Sequence, residues 1–166
     1  MSYSSFIFYI DEEPYGCGCY HDCSCPRYSH DLTHSTSVND AVNYLVNKIK
    51  YRTIQYVDRI FVNGVFVNNA RCVIERGGKL TFVNPINLDP AMIKNHIGDE
   101  VPKAVGLKAA TLLHSVFEAV SQSQIVIDHI TEYNGKAEAA AAKRKAEQAE
   151  RDKKELERLK KMYPDT

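Results

Sequence analysis

Two dipeptides, Asn63-Gly64 and Gly77-Gly78, decide most of what the middle of this chain can become. The first separates IFV from VFV and the second separates RCVIER from KLTFV, segments dense in β-branched and aromatic residues. Asn-Gly and Gly-Gly suit the tight two-residue turn of a hairpin, because both of its central residues need positive φ. The run therefore predicts an antiparallel meander of three or four strands, over 53–62, 65–68, 71–76 and 79–84. Pro85 and Pro90 stop it.

A further strand is expected in SFIFYI, Ser5 to Ile10, with Pro14 and Gly16 soon after it. A short meander has to cover its edges, and pairing of the Phe6 to Ile10 strand with a copy of itself would do so. The polar stretch RYSHDLTHSTS shows no period and reads as part of a long loop over 15–36.

The helices announce themselves by spacing. Val38, Ala41, Val42, Leu45, Val46 and Ile49 form one apolar stripe, predicting a helix over 37–50. Ser35, Thr36 or Ser37 caps it, and Asp40 supplies negative charge in its first turn. After Pro102, the positions Val105, Ala109, Leu112, Leu113, Val116, Phe117 and Val120 form a second stripe, which Ile127 and Ile130 extend. That predicts a helix over 103–130, with Gly135 interrupting or ending the pattern. From Lys136 to Met162 the composition turns to Ala, Glu, Lys and Arg, the strongest helix formers, with ten basic residues against six acidic ones. The fold class expected is α+β: a small antiparallel meander on two amphipathic helices in a domain over 1–134, and a long charged helical tail over 135–166.

Over all 166 residues, 21 basic side chains balance 21 acidic ones, so no bulk field draws the molecule to nucleic acid or anionic lipid. No run approaches the roughly 20 apolar residues of a membrane helix. The opening MSYSSFIFYIDEE lacks the positive region of a signal peptide, and a cytoplasmic location, or a place in an assembled particle, is expected.

In that reducing setting clustered cysteines favour metal over disulfides. Four of the five stand in GCGCYHDCSCP: Cys17, Cys19, Cys23 and Cys25, arranged about His21. A chain reversal at Tyr20-His21-Asp22 would set Cys19 opposite Cys23 and Cys17 opposite Cys25, four sulfurs facing one another as a tetrahedral zinc site requires. His21 lies at the reversal, and His30 and His34, at H-x3-H spacing, could replace two cysteines if their loop turned back. Two other readings stay open: reduced thiols packed as small apolar groups, and a disulfide or redox role. C-x-C is tighter than the usual C-x2-C knuckle.

In the tail, Ala139, Ala142, Ala146, Ala149 and Leu156 keep a heptad seam, but Lys153 and Lys160 also occupy seam positions and Leu159 falls beside it. A regular zipper is thereby disfavoured. The remaining choices are a single charged helix held by pairs such as Glu147 with Arg151 and Glu150 with Lys154, or a shallow Ala-lined helix packing on a copy of itself or on a partner. Lys143, Arg144 and Lys145 are the candidate nucleic-acid contacts, diluted by interleaved acids.

Catalysis has less behind it. There is no phosphate-binding Gly loop, no G-x-S-x-G elbow and no H-E-x-x-H. Four equivalent thiols beside His21, His30 and His34 do not single out one tuned nucleophile. Asp11, Glu12 and Glu13 read as a solvated strand end, while Tyr3, Tyr9, Tyr15, Tyr20 and Tyr28 give the N-terminal region an aromatic surface suited to protein contacts. The expected function is a non-enzymatic interaction or assembly subunit that self-associates, with a structural zinc clip in its cysteine hairpin. Its size and plan suit an accessory or structural protein of a bacteriophage. A nucleic-acid-binding module using the hairpin and the basic tail, and a small thiol-dependent enzyme, are the alternatives.

Overall fold

The computed structural model describes residues 4–12, 29–52, 56–57, 59–68 and 70–163. Its strands are β1 (Phe6–Glu12), β2 (Ser29–Ser35), β3 (Tyr56–Val57), β4 (Arg59–Val62), β5 (Val65–Val67), β6 (Ala70–Arg71), β7 (Val73–Arg76) and β8 (Lys79–Phe82). The helices are α1 (Val38–Arg52), α2 (Pro90–His96), α3 (Lys103–Ser121) and α4 (Gln124–Met162). Every ladder described is antiparallel, and the expected α+β class holds.

Both hairpin dipeptides behave as their chemistry demands. Asn63 and Gly64 take φ of 51° and 81°, and Gly77 and Gly78 take 58° and 78°, the positive pair that joins β4 to β5 and β7 to β8. Alternation follows. Ile60 and Val62 on β4 and Val65 and Val67 on β5 are buried, whereas Arg59 and Phe66 face outward.

The sheet that organises the body runs in the order β2-β1-β4-β5. Phe6, Phe8 and Ile10 send one face of β1 inward against Leu45 and Ile49 of α1 and Leu113 and Phe117 of α3, and all seven are essentially without solvent contact. The Phe8 ring stacks on Tyr44 of α1 at 5.9 Å between centroids. Helix α1 starts where the serines promised: Ser37 Oγ accepts from Asp40 N–H at 3.1 Å and donates to the Asp40 carboxylate at 2.7 Å.

Several expectations are corrected. The Phe6 to Ile10 strand is no edge: β2 flanks all of it on one side and β4 pairs with Phe6 to Tyr9 on the other, so those four residues have no free backbone for self-pairing. The second flank comes from SHDLTHS, part of the stretch expected to be a loop. As an edge strand β2 needs a backbone ladder and no stripe of its own, because the apolar side chains of that corner come from β1. The expected strands over 53–62 and 71–76 are each divided between ladders, β3 with β6, β4 in the main sheet and β7 with β8. Pro90 stops the meander but also opens α2, behind an Asp89 cap whose Oδ1 accepts from Ala91 N–H at 2.8 Å.

The expected helix over 103–130 ends at Ser121, and a new one starts at Gln124. The break rotates the pattern: Val126 is buried, while Ile127, counted in the stripe, is 42% exposed. Gly135 neither ends nor interrupts anything. It lies inside α4, which runs on to Met162.

Candidate functional site

Residues 13–28, and with them Cys17, Cys19, His21, Cys23 and Cys25, lie outside the described residues. What the structure supplies is their stem. Strands β1 and β2 pair without a break from Phe6↔Ser35 to Glu12↔Ser29, so the chain enters and leaves the cysteine segment from adjacent strands. Seven register pairs therefore carry the loop-closure cost that a metal would otherwise have to meet alone.

His30 pairs in register with Asp11, one step from the stem's end, and His34 pairs with Ile7 near its other end. Residues four apart on a strand are separated by roughly 13 Å along it, so the loop reversal expected between these two histidines is replaced by extended chain. His34 is already engaged: its Nε2 shares a hydrogen bond of 2.9 Å with Ser5 Oγ, while Ser5 N–H donates to Asn63 Oδ1 at 2.7 Å. A serine and a histidine at this distance were not singled out from sequence, because only the β1–β2 register brings them together. Among the described residues no group of three His, Cys, Asp or Glu side chains is placed to hold a metal.

The fifth cysteine is unsuited to thiol chemistry. Cys72 is fully buried, and burial pushes its thiol up to about 12, so it stays protonated at neutral pH. A shallow groove of about 410 Å³ between the β4–β5 turn and α3 is lined by Val62, Asn63, Val65, Ala104, Val105, Lys108 and Ala109. Lys108 is the one ionisable side chain of this lining, and no second acid–base group stands beside it there.

The larger feature is α4, whose two halves differ completely. Over its first half Val126 enters the core, Ile130 and Tyr133 pack against it, and Asn134 closes on the backbone of β8. The Asn134 amide accepts from Leu80 N–H at 2.7 Å and donates to Leu80 C=O at 2.9 Å, filling both outward valences of that residue. Lys79 and Glu138 add an ion pair at 2.6 Å, which holds the Glu138 carboxyl below its ordinary range. From Ala139 to Tyr163 every residue is exposed. That arm extends roughly 36 Å at about 1.5 Å per residue.

The arm is maintained by local pairs. Lys154 and Glu150 meet at 2.7 Å as expected, whereas Glu147 lies 4.0 Å from Lys143, and Arg158 forks onto Glu155 at 2.8 and 2.9 Å. The arm also carries Leu156, Leu159, Met162 and Tyr163 at 54, 40, 55 and 72% exposure, far more apolar surface than an isolated solvated helix calls for. Lys143, Arg144 and Lys145 are all exposed, but as consecutive residues they point about 100° apart and form no single basic face.

No described helix is long and apolar enough to cross a membrane. Compared with protein-family models, curated proteins and solved structures, the chain matches none. Its function is read from its own residues.

Proposed function

We propose that this protein is a non-enzymatic assembly subunit: a compact α+β body that self-associates and presents the free half of α4 as its interaction element. The observation that carries this reading is the arm from Ala139 to Tyr163, with large apolar side chains that the body leaves uncovered. A helix that is only a solvated spacer gains nothing from Leu156, Leu159 and Met162. Light scattering of the full chain against a chain ending at Ala139 tests it. The full chain should show a concentration-dependent mass above the monomer, and the shortened chain the monomer mass. A full chain that stays monomeric across the micromolar range ends the reading.

The cysteine segment belongs to the same proposal as a structural zinc clip at the tip of the β1–β2 stem. The stem supports it by holding the segment's ends together, and it adds a geometric condition. Carried forward unchanged, the register Glu12↔Ser29 would set Cys17 opposite Ser24 and Cys19 opposite Asp22. Pairing Cys17 with Cys25 and Cys19 with Cys23 requires one extra residue, a bulge between stem and tip, since a one-residue slip turns side chains to the other face. Elemental analysis of the purified chain should find one zinc per chain, lost on Cys19→Ser with Cys23→Ser. Absence of bound metal after purification without chelators removes the clip and leaves the arm untouched.

A further inference from the structure

We infer that the α4 arm pairs with the arm of a second copy in antiparallel orientation, in one register, with its two-fold axis at Arg151. This rests on the self-association proposed above and names its surface. The seam through Ala139, Ala146 and Leu156 lies roughly 130° around the helix from the row of Ile130 and Asn134 that docks on the body, and the Lys79–Glu138 ion pair comes before the seam begins, so beyond its first turn the seam is clear for a partner.

The two ends of the seam are unlike each other. Its first four positions are all alanine; its last four are Lys153, Leu156, Lys160 and Tyr163, all long and all exposed. A parallel pair would stack alanine on alanine at one end and long side chains on long side chains at the other. No single interaxial distance fits both, and Lys153 and Lys160 would each face their own copies. Reversing one helix sets Ala139 against Tyr163, Ala142 against Lys160, Ala146 against Leu156 and Ala149 against Lys153. Every layer then joins one small and one large residue, so the layers fill alike along the whole seam. It is this match between two halves that carries the inference. A stripe of alanines alone would accept any helix.

Charge agrees with the same register. Beside the seam, Lys143 of one arm comes opposite Glu157 of the other, twice per dimer. Beside the axis Glu150 meets its own copy on one flank and Asp152 its own copy on the other, and Lys153, arriving in the neighbouring layer between them, offsets the repulsion.

The test uses the full chain and sedimentation velocity. Leu156→Ala should weaken dimerisation about tenfold or more, because two contacts are lost per dimer. Lys143→Glu and Glu157→Lys should each weaken it about fivefold, as two attractive contacts become repulsive. Mixing those two single variants should restore association as a heterodimer, since both charge contacts then oppose correctly. The two sites are roughly 21 Å apart on one helix, so the rescue does not arise within a chain. If the full chain is monomeric, self-association and this register fail together. If it associates but Leu156→Ala has no effect, or the mixture stays as weak as its components, self-association stands and the antiparallel arm is wrong.

Discussion

The two halves of α4 share one backbone and one set of helical hydrogen bonds, yet different physics holds each in place. From Gln124 to Glu138 the helix is fixed by what it touches: Val126 in the core, Asn134 on β8 and Glu138 on Lys79. From Ala139 onward it is fixed by its own composition, alanine for propensity and pairs such as Glu150 with Lys154 for a few tenths of a kcal/mol each. Isolated helices are marginal in water at lengths of about 12–15 residues, so an arm grown from a docked first half begins already nucleated. The body's contribution to the arm is a starting point and a direction.

The sharpest test of this division is the same truncation on both sides of it. Phe117→Ala on α3, at the centre of the core, should cost about 3–5 kcal/mol of unfolding free energy by urea titration. Leu156→Ala on the arm should change the monomer's value by less than about 0.5 kcal/mol. A large loss from Leu156→Ala in dilute solution would mean that the arm folds back on the body.

At the junction itself, Asn134→Ala should cost about 1–3 kcal/mol, because it strips both partners from the Leu80 N–H and C=O, leaving two backbone groups without their bonds next to the core. If urea unfolding shows a loss below about 0.5 kcal/mol, water replaces the amide and the clamp is incidental.

How much of this was legible beforehand depends on whether a residue's role is local. The type I′ turn at Asn63-Gly64, a serine cap before α1 and most of the stripes of α1 and α3 are local consequences of residue chemistry that the sequence carries, although Val105, counted in the second stripe, is 47% exposed. Strand β2 was not legible. It holds its place by backbone pairing with β1, and of its seven residues only Leu32 is apolar. The Asn134 clamp joins residues 54 positions apart and leaves no periodic trace. Gly135 misled for an energetic reason: a glycine costs a helix about 1 kcal/mol, which the Asn134 and Glu138 contacts on either side of it readily offset. The arm's seam was visible as spacing and its exposure as charged, alanine-rich composition; what the fold adds is that the body leaves Leu156, Leu159, Met162 and Tyr163 uncovered as well.

A third test separates the halves by local stability. Ala141→Gly should raise amide exchange along the arm by about fivefold, in line with about 1 kcal/mol of lost propensity. Exchange in α3 and the unfolding midpoint of the body should not move. Protection lost in α3 as well would show that the two halves of α4 unfold as one unit.

The smallest effect distinguishes the halves by pH. The Glu138 carboxyl is held down by Lys79 on the body, and the Glu155 carboxyl by Arg158 within the arm, each below its ordinary 4.5. A carboxyl whose folded value is lowered contributes stability that is present above the ordinary value and lost as pH falls through the lowered one. Helix content followed by circular dichroism should therefore decline as pH is taken from 6 toward 3, and decline less in 1 M salt, where exposed pairs are already screened. Lys79→Ala removes the partner of Glu138 but leaves Glu155 paired, so it should shrink the acid loss without abolishing it. If the acid loss vanishes entirely in Lys79→Ala, the junction governs the whole helix and the arm has no electrostatic support of its own. A loss unchanged by Lys79→Ala would place the pH dependence in the pairs internal to α4, Glu132 with Lys136 and Glu155 with Arg158.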